Sequence, residues 1–331
     1  MNKALYFPYI RVPCNQWFTQ VLLYWDEVAT IVPYEYIHNP EKLGDYMVEL
    51  LQNGLLNQVI PTEHIYSIPN FTEAFIEYID SINLETFPTK QKWINIHIEK
   101  MGDIAQELCS RKLAIPDRYP WFTVEPQVGK AFMTYLACIL GKLSDLNFVP
   151  ITDQPSSMFF PFGTNNFAYL RRLQQLRGLI LPNLLPIPDG SVSLNEIAKF
   201  KHDYCRQLHR FRTSIEAFIT KLAAVEDETA KETIFKAEME LLNMQIEDIV
   251  EAMKRRKKWS RINFGNLFSI GGALIPLTQI NAHSDIMTSV GASARLLGAV
   301  FKACSPLLSS QILDQPLAYA AIARTNFQKS R

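Results

Sequence analysis

From Leu194 to Val225, ten positions (Leu194, Ile197, Lys201, Tyr204, Leu208, Phe211, Ile215, Phe218, Leu222 and Val225) step along the chain by threes and fours. Nine of the ten are apolar. That spacing gathers them into one helical stripe, which must find an apolar partner along its whole length. Ser193, with Glu196 three residues on, reads as a capping-box start. A second stripe, Phe235, Met239, Leu242, Ile246, Ile249 and Met253, runs in a different phase, and Glu226-Asp227-Glu228-Thr229 interrupts the apolar positions between the two. A helical hairpin over 193–258 accounts for this better than one rod. Charge supports the pairing. Between Lys199 and Lys221 there are six basic and two acidic side chains, and between Glu226 and Glu251 there are nine acidic and two basic. Cross-helix ion pairs would set the orientation, and the apolar seam would do the holding.

Upstream the pattern is different. Residues 5–10 and 28–33 read as strands around a helix that Asn15 caps and that runs through Trp25, which favours a parallel βαβ unit. Helices are expected over 42–51, 71–82, 103–112 and 124–143, with strands over 55–60, 93–98 and 148–152. The fold class expected is therefore an α/β N-terminal domain followed by a mostly α-helical C-terminal half with an antiparallel helical hairpin. The divisions are an α/β domain over 1–155 and a proline-rich connector over 156–192, holding a helix around 169–177. The hairpin over 193–258 and an apolar helical region over 259–331 follow.

The 33 basic and 33 acidic residues of the 331-residue chain cancel, which argues against a whole-surface attraction to nucleic acid or anionic lipid. The cancellation is an average over opposites. Lys254, Arg255, Arg256, Lys257, Lys258 and Arg261 form a basic cluster around Trp259, and no residue from 262 to 284 is charged except the normally neutral His283. That order fits a cytosol-facing contact with an anionic membrane surface. Asn263, Asn266, Gln279, Asn281, Gly271-Gly272 and Pro276 favour a buried C-terminal bundle over a spanning segment. Nucleic acid is a weaker partner for one short basic run. The five cysteines are scattered and form no CxxC pair, which fits a reducing cytosol. The first residues carry no sustained apolar core of a secretory signal, so a cytoplasmic protein is expected, with the basic cluster a peripheral site at the inner face of the membrane.

Candidate chemistry is sparse. His202, Cys205 and His209 fall at i, i+3 and i+7, so a continuous helix would present them on one face, where they could hold zinc with a fourth ligand from elsewhere. They match no standard zinc spacing, and polar residues edging a stripe are commonplace; no other cofactor is implied. Asp26, Glu99, Glu125 and Asp153 fall near strand and helix ends. Asp153 is the best placed, because ligands in open α/β sheets favour the carboxyl ends of strands. His97 points away from Ile96 and Ile98 if 93–98 is a strand. The chain has no GxxxxGKS/T phosphate loop, no GxGxxG, no GxSxG and no HExxH, which disfavours a nucleotide-driven motor, a Rossmann dehydrogenase and an α/β-hydrolase.

Leu5-Tyr6-Phe7-Pro8-Tyr9-Ile10, Leu22-Leu23-Tyr24-Trp25-Asp26 and Ile31-Val32-Pro33 resemble a family of bacterial proteins without an established activity. Val149 to Asp153, Leu208 to Arg212 and Pro316 to Tyr319 are similar to it too. The resemblance implies a bacterial protein and brings no catalytic residue; service in phage defence is an expectation drawn from families of that kind. The function expected is that of a non-enzymatic interaction or scaffold protein, meeting a protein partner or a second copy of itself through the hairpin. The alternatives are an effector enzyme, a nuclease or other hydrolase, with an acidic site in the α/β domain, and a membrane-active effector acting through 254–301.

Overall fold

A computed structural model describes residues 2–81, 92–154, 165–188, 192–261 and 312–327. The stretch after the basic cluster, 262–301, lies outside the described residues. β1 (Lys3–Tyr6) leads into α1 (Gln16–Tyr24), where Asn15 caps the helix by accepting the Phe18 N–H at 3.0 Å. β2 (Glu27–Ile31) follows, then α2 (Glu35–His38), α3 (Asp45–Gln52) and β3 (Asn57–Val59). After α4 (Phe71–Ser81), the chain forms β4 (Ile94–His97), the single turn α5 (Ile98–Met101) and α6 (Ile104–Ser110). β5 (Ala114–Pro116) and β6 (Trp121–Val124) precede α7 (Pro126–Lys142) and β7 (Phe148–Ile151).

The expected βαβ unit is present: β1 and β2 are parallel, with Lys3 opposite Glu27. The full sheet is parallel in the order β3-β2-β1-β7, and Lys3 also stands opposite Phe148 on β7. Pro150 fits in β7 because an edge strand leaves one side of its ladder unpaired. β1 is buried on both faces, and its alternation divides two cores. Ala4 and Tyr6 join one, while Leu5 and the following Phe7 join the other.

The second core is capped by an antiparallel sheet, β4-β6-β5. Of its strands only β4 is legible from periodicity; β5 and β6 are three and four residues long and too short to show a period. α7 joins the two sheets. A Cβ on Gly129 would lie 2.3 Å from Ile94 Cδ1, and one on Gly141 would lie 2.5 Å from the Phe148 carbonyl oxygen. Glycine at these two positions allows α7 to approach both sheets at once.

The helical part packs on the first core. The helix expected around 169–177 is longer, α8 (Asn165–Leu184), and it buries Leu173, Leu176, Ile180, Leu181 and Leu184. The capping box at Ser193 and Glu196 is formed. The first stripe, however, belongs to two helices, α9 (Leu194–Asp203) and α10 (Cys205–Ala223), separated at Tyr204 (φ −116°, ψ 26°). α9 packs on α1, whereas α10 packs on α8 and on α12 (Ala318–Phe327), which follows α11 (Glu228–Arg261) in the described chain. The break allows one continuous apolar pattern to serve two surfaces. Met239, Ile246 and Ile249 of the second stripe are buried, and α11 lies along α12.

The charges of the basic stretch go mostly elsewhere than to the acidic helix. Lys221 reaches Glu238 at 3.4 Å, but Arg210 pairs with Asp314, and Arg212 and Lys201 turn to the N-terminal sheet. Arg212 is 1% exposed and donates to Asp26 at 2.6 Å, while Lys201 donates to the Asp26 carbonyl at 3.3 Å. Beside them Arg177 grips Glu216 with two hydrogen bonds of 2.8 and 2.7 Å, and Tyr24 donates to the same carboxylate at 2.6 Å. This buried ionic cluster ties the sheet to the helices.

Candidate functional site

The strand order says where to look. The chain builds outward from β1 through β2 to β3, then returns on the other side of β1 with β7. The crossover from β1 through α1 packs in one core and the return to β7 through α7 packs in the other. The winding of the sheet therefore reverses between β1 and β7, the place where open α/β sheets form a crevice. A cavity of about 450 Å³ lies at that place, lined by Pro8, Tyr9, Ile10 and Arg11 after β1 and by Gln154 after β7. This volume suits a small molecule.

The second sheet and the helices supply the rest. Ile94, Ile96 and Met133 give apolar surface, Trp121 and Tyr36 give aromatic rings, and His97, Lys100 and Lys130 bring nitrogen donors. Among the described residues, no aspartate or glutamate lines it. Gly129 matters here, because its close approach to Ile94 seats α7 so that Lys130 and Met133 reach the cavity. Arg11 is steadied by a hydrogen bond from its guanidinium to the Lys42 carbonyl at 2.8 Å.

Lys100 is the unusual member. It sits on the one-turn α5 directly after β4, is 3% exposed, and has no hydrogen-bond or ion-pair partner among the described residues. Burial pushes its ammonium down from 10.5 to about 7. His97, three residues earlier, is also buried. Its Nδ1 accepts the Glu99 backbone N–H at 3.2 Å, which leaves the ring proton on Nε2, and Nε2 is buried without a partner among the described residues. Burial lowers the His97 pKa and keeps the ring neutral, outweighing the opposing pull of Glu99 and Glu35. An edge-on Trp121 ring, 5.0 Å away, fixes the imidazole.

The acidic candidates do not gather. Asp26 precedes β2 and so lies at the amino end of the sheet, opposite the crevice, where it binds Arg212 and the Asn2 N–H. Glu125 caps α7 by accepting the Val128 N–H at 2.8 Å, and it follows Val124, at the far end of the β4–β6 ladder from His97. Glu99, half-buried, accepts the Tyr34 N–H at 2.6 Å. Asp153 does follow the carboxyl end of β7, next to the cavity residue Gln154, and takes the Tyr6 hydroxyl at 3.0 Å. Each carboxylate is spent on a different structural hydrogen bond, because an acidic side chain at an element end is the nearest acceptor for free backbone or side-chain donors.

His202, Cys205 and His209 are exposed, and the break at Tyr204 interrupts the continuous helix that their spacing assumed. Among the described residues no group of three or more His, Cys, Asp or Glu is arranged to hold a metal ion. Lys254 is exposed on α11. The side chains of Arg255, Arg256, Lys257, Lys258 and Arg261 lie outside the described residues, and no described helix is long and apolar enough to cross a membrane.

Sequence reasoning had placed interest at the carboxyl ends of strands but chose Asp153 rather than its neighbours. The signal that would have found the cavity is the basic and aromatic run Tyr9-Ile10-Arg11 directly after β1. Compared with family models, with curated proteins and with solved structures, the chain finds no match.

Proposed function

We propose that the chain binds a small anionic molecule with a planar portion in the β1/β7 crevice, and that it works as a binding or interaction protein. The observation that carries the reading is the chemistry of the cavity wall. Arg11, Lys100 and Lys130, with the His97 Nε2–H, line a crevice at the topological switch point, and among the described residues no carboxylate lines it and none pairs with that N–H. Cationic donors select phosphate or carboxylate groups, and Tyr9, Tyr36 and Trp121 offer faces for a ring. A hydrolase built on paired carboxylates has no support in this arrangement.

Calorimetry with pyridoxine 5′-phosphate, an aromatic phosphate without a carbonyl group, tests it. Saturable binding with Kd between about 1 μM and 1 mM is expected, weakened on the order of tenfold by Arg11→Ala combined with Lys130→Ala and weakened also by added salt. If neither this probe nor a nucleoside monophosphate shows saturable binding, the reading fails.

A second reading has one observation in its favour. Leu241 and Met244 of α11 are 48% and 56% exposed and lie three residues apart, so they share a face. They would let residues 193–258, taken as a helical hairpin, meet a second copy of the chain. Sedimentation velocity should then show a concentration-dependent dimer that Leu241→Glu with Met244→Glu removes. A strict monomer at high micromolar concentration would end this reading.

A further inference from the structure

We infer that Lys100 captures its ligand covalently: the side-chain amine forms an imine with a carbonyl group on the anionic molecule held in the cavity. This rests on the anionic-ligand reading above and names a chemical step within it. The ligand class becomes an aldehyde or ketone that also carries a phosphate or carboxylate.

The placement of Lys100 is the starting point. A lysine buried to 3% exposure with no carboxylate or hydrogen-bond partner among the described residues is costly to the fold, so a lysine serving only as a structural cation would be poorly placed there. Yet the side chain does not run out to solvent; it forms part of the wall of a 450 Å³ cavity. The cavity also holds other cations suited to the anionic part of a ligand. Arg11 brings a guanidinium held in place by the Lys42 carbonyl. That leaves Lys100 for a different task. Burial with its amine near neutrality at physiological pH makes it a nucleophile where Arg11 cannot be one. His97 completes the set, because its Nε2–H on the same wall, without a partner among the described residues, is a donor suited to the carbonyl oxygen.

The step balances without any further reagent. The lone pair of the neutral amine adds to the carbonyl carbon while the C=O electrons move to oxygen. A proton passes from nitrogen to that oxygen, giving a carbinolamine. A proton from solvent joins the hydroxyl, which departs as water while the nitrogen lone pair closes a protonated C=N bond. No oxidant, reductant or metal takes part, and hydrolysis reverses it.

The probe is pyridoxal 5′-phosphate, the aldehyde counterpart of the alcohol used for binding. The full-length chain is incubated with it between pH 6 and 9, reduced with borohydride to fix any imine, and mapped by peptide mass. Lys100 should be labelled on the order of tenfold or more faster at pH 7 than free Nα-acetyl-lysine added as an internal standard, because a far larger share of its amine is unprotonated there. Its labelling rate should level off above about pH 7, while that of the free lysine standard keeps rising. Pyridoxine 5′-phosphate should slow the Lys100 adduct, and Lys100→Arg should abolish it. Saturable binding of pyridoxine 5′-phosphate with no preferential labelling of Lys100 would overturn covalent capture and leave the binding reading standing. Absence of both would sink the two together.

Discussion

Replacing Lys100 with methionine should stabilise the fold by several kcal/mol at pH 7 while removing the fast adduct. The reason is the desolvated ammonium. Each tenfold change in proton affinity is worth about 1.36 kcal/mol, so moving the group from 10.5 to about 7 costs on the order of 5 kcal/mol of stability wherever both states would carry the proton. The folded value is the lower one. The unfolded chain therefore binds the extra proton between about pH 7 and pH 10.5, and native stability rises with pH across that window. Below about pH 7 the penalty is full and constant, and above about pH 10.5 it is gone. Arg11, Lys130 and His97 line the same cavity, and none of them offers Lys100 a negative charge to offset this. Urea denaturation of native protein and Lys100→Met should thus differ by about 3–5 kcal/mol at pH 6–7 and converge toward pH 10.5. Equal stability at pH 7 would mean that Lys100 is better solvated than its burial implies, and the case for a functional lysine would weaken with it.

Arg212→Ala should do the reverse. Arg212 is among the most deeply buried large side chains; it binds the Asp26 carboxylate at 2.6 Å and lies 5.9 Å from the centre of the Tyr24 ring. Removing Arg212 leaves the half-buried Asp26 carboxylate without its partner, at a cost of about 3 kcal/mol, the low end for a buried pair. A fall in Tm of roughly 10 °C is expected at pH 7. The pH dependence follows from Asp26. Burial alone would raise its carboxyl, but hydrogen bonds from Arg212 and from the Asn2 N–H prevail and hold it below 3.8. A carboxylate depressed in the folded state stabilises above its unfolded value, and that contribution is lost as pH falls through the folded one. The gap between native and Arg212→Ala proteins should therefore shrink below about pH 4. A loss under about 1 kcal/mol at pH 7 would show that the cluster is not what joins the sheet to the helices.

These two residues also show how unevenly the sequence speaks. The β1–α1–β2 unit is legible because a strand of period two, an Asn15 cap and a helix of period 3.6 are local patterns. The same holds for both stripes and for the capping box at Ser193. β5 and β6 were not legible, since three or four residues flanking the Asp117–Pro120 turn carry too little period to read. The break at Tyr204 was invisible for another reason. No glycine or proline marks it, and what imposes it is the pair of different surfaces that α9 and α10 must cover.

For the site the division is sharper. The sequence determined that an α/β sheet begins the chain, that its strand ends carry charged and aromatic residues, and that a helical layer follows. Local periodicity and capping depend on neighbours a few residues apart, so one chain suffices to read them. Only the tertiary structure decided which charges meet. It turned the half-buried Asp26 into the ion-pair partner of the buried Arg212 at the amino end of the sheet and spent Glu125 on a helix cap. It also buried an ordinary-looking Lys100 close to His97 and brought the distant Arg11 to the same cavity, where strand order reverses. Burial and partnership depend on contacts between distant segments, and those set whether a charge is a solvated surface group, a structural tie or a reactive amine.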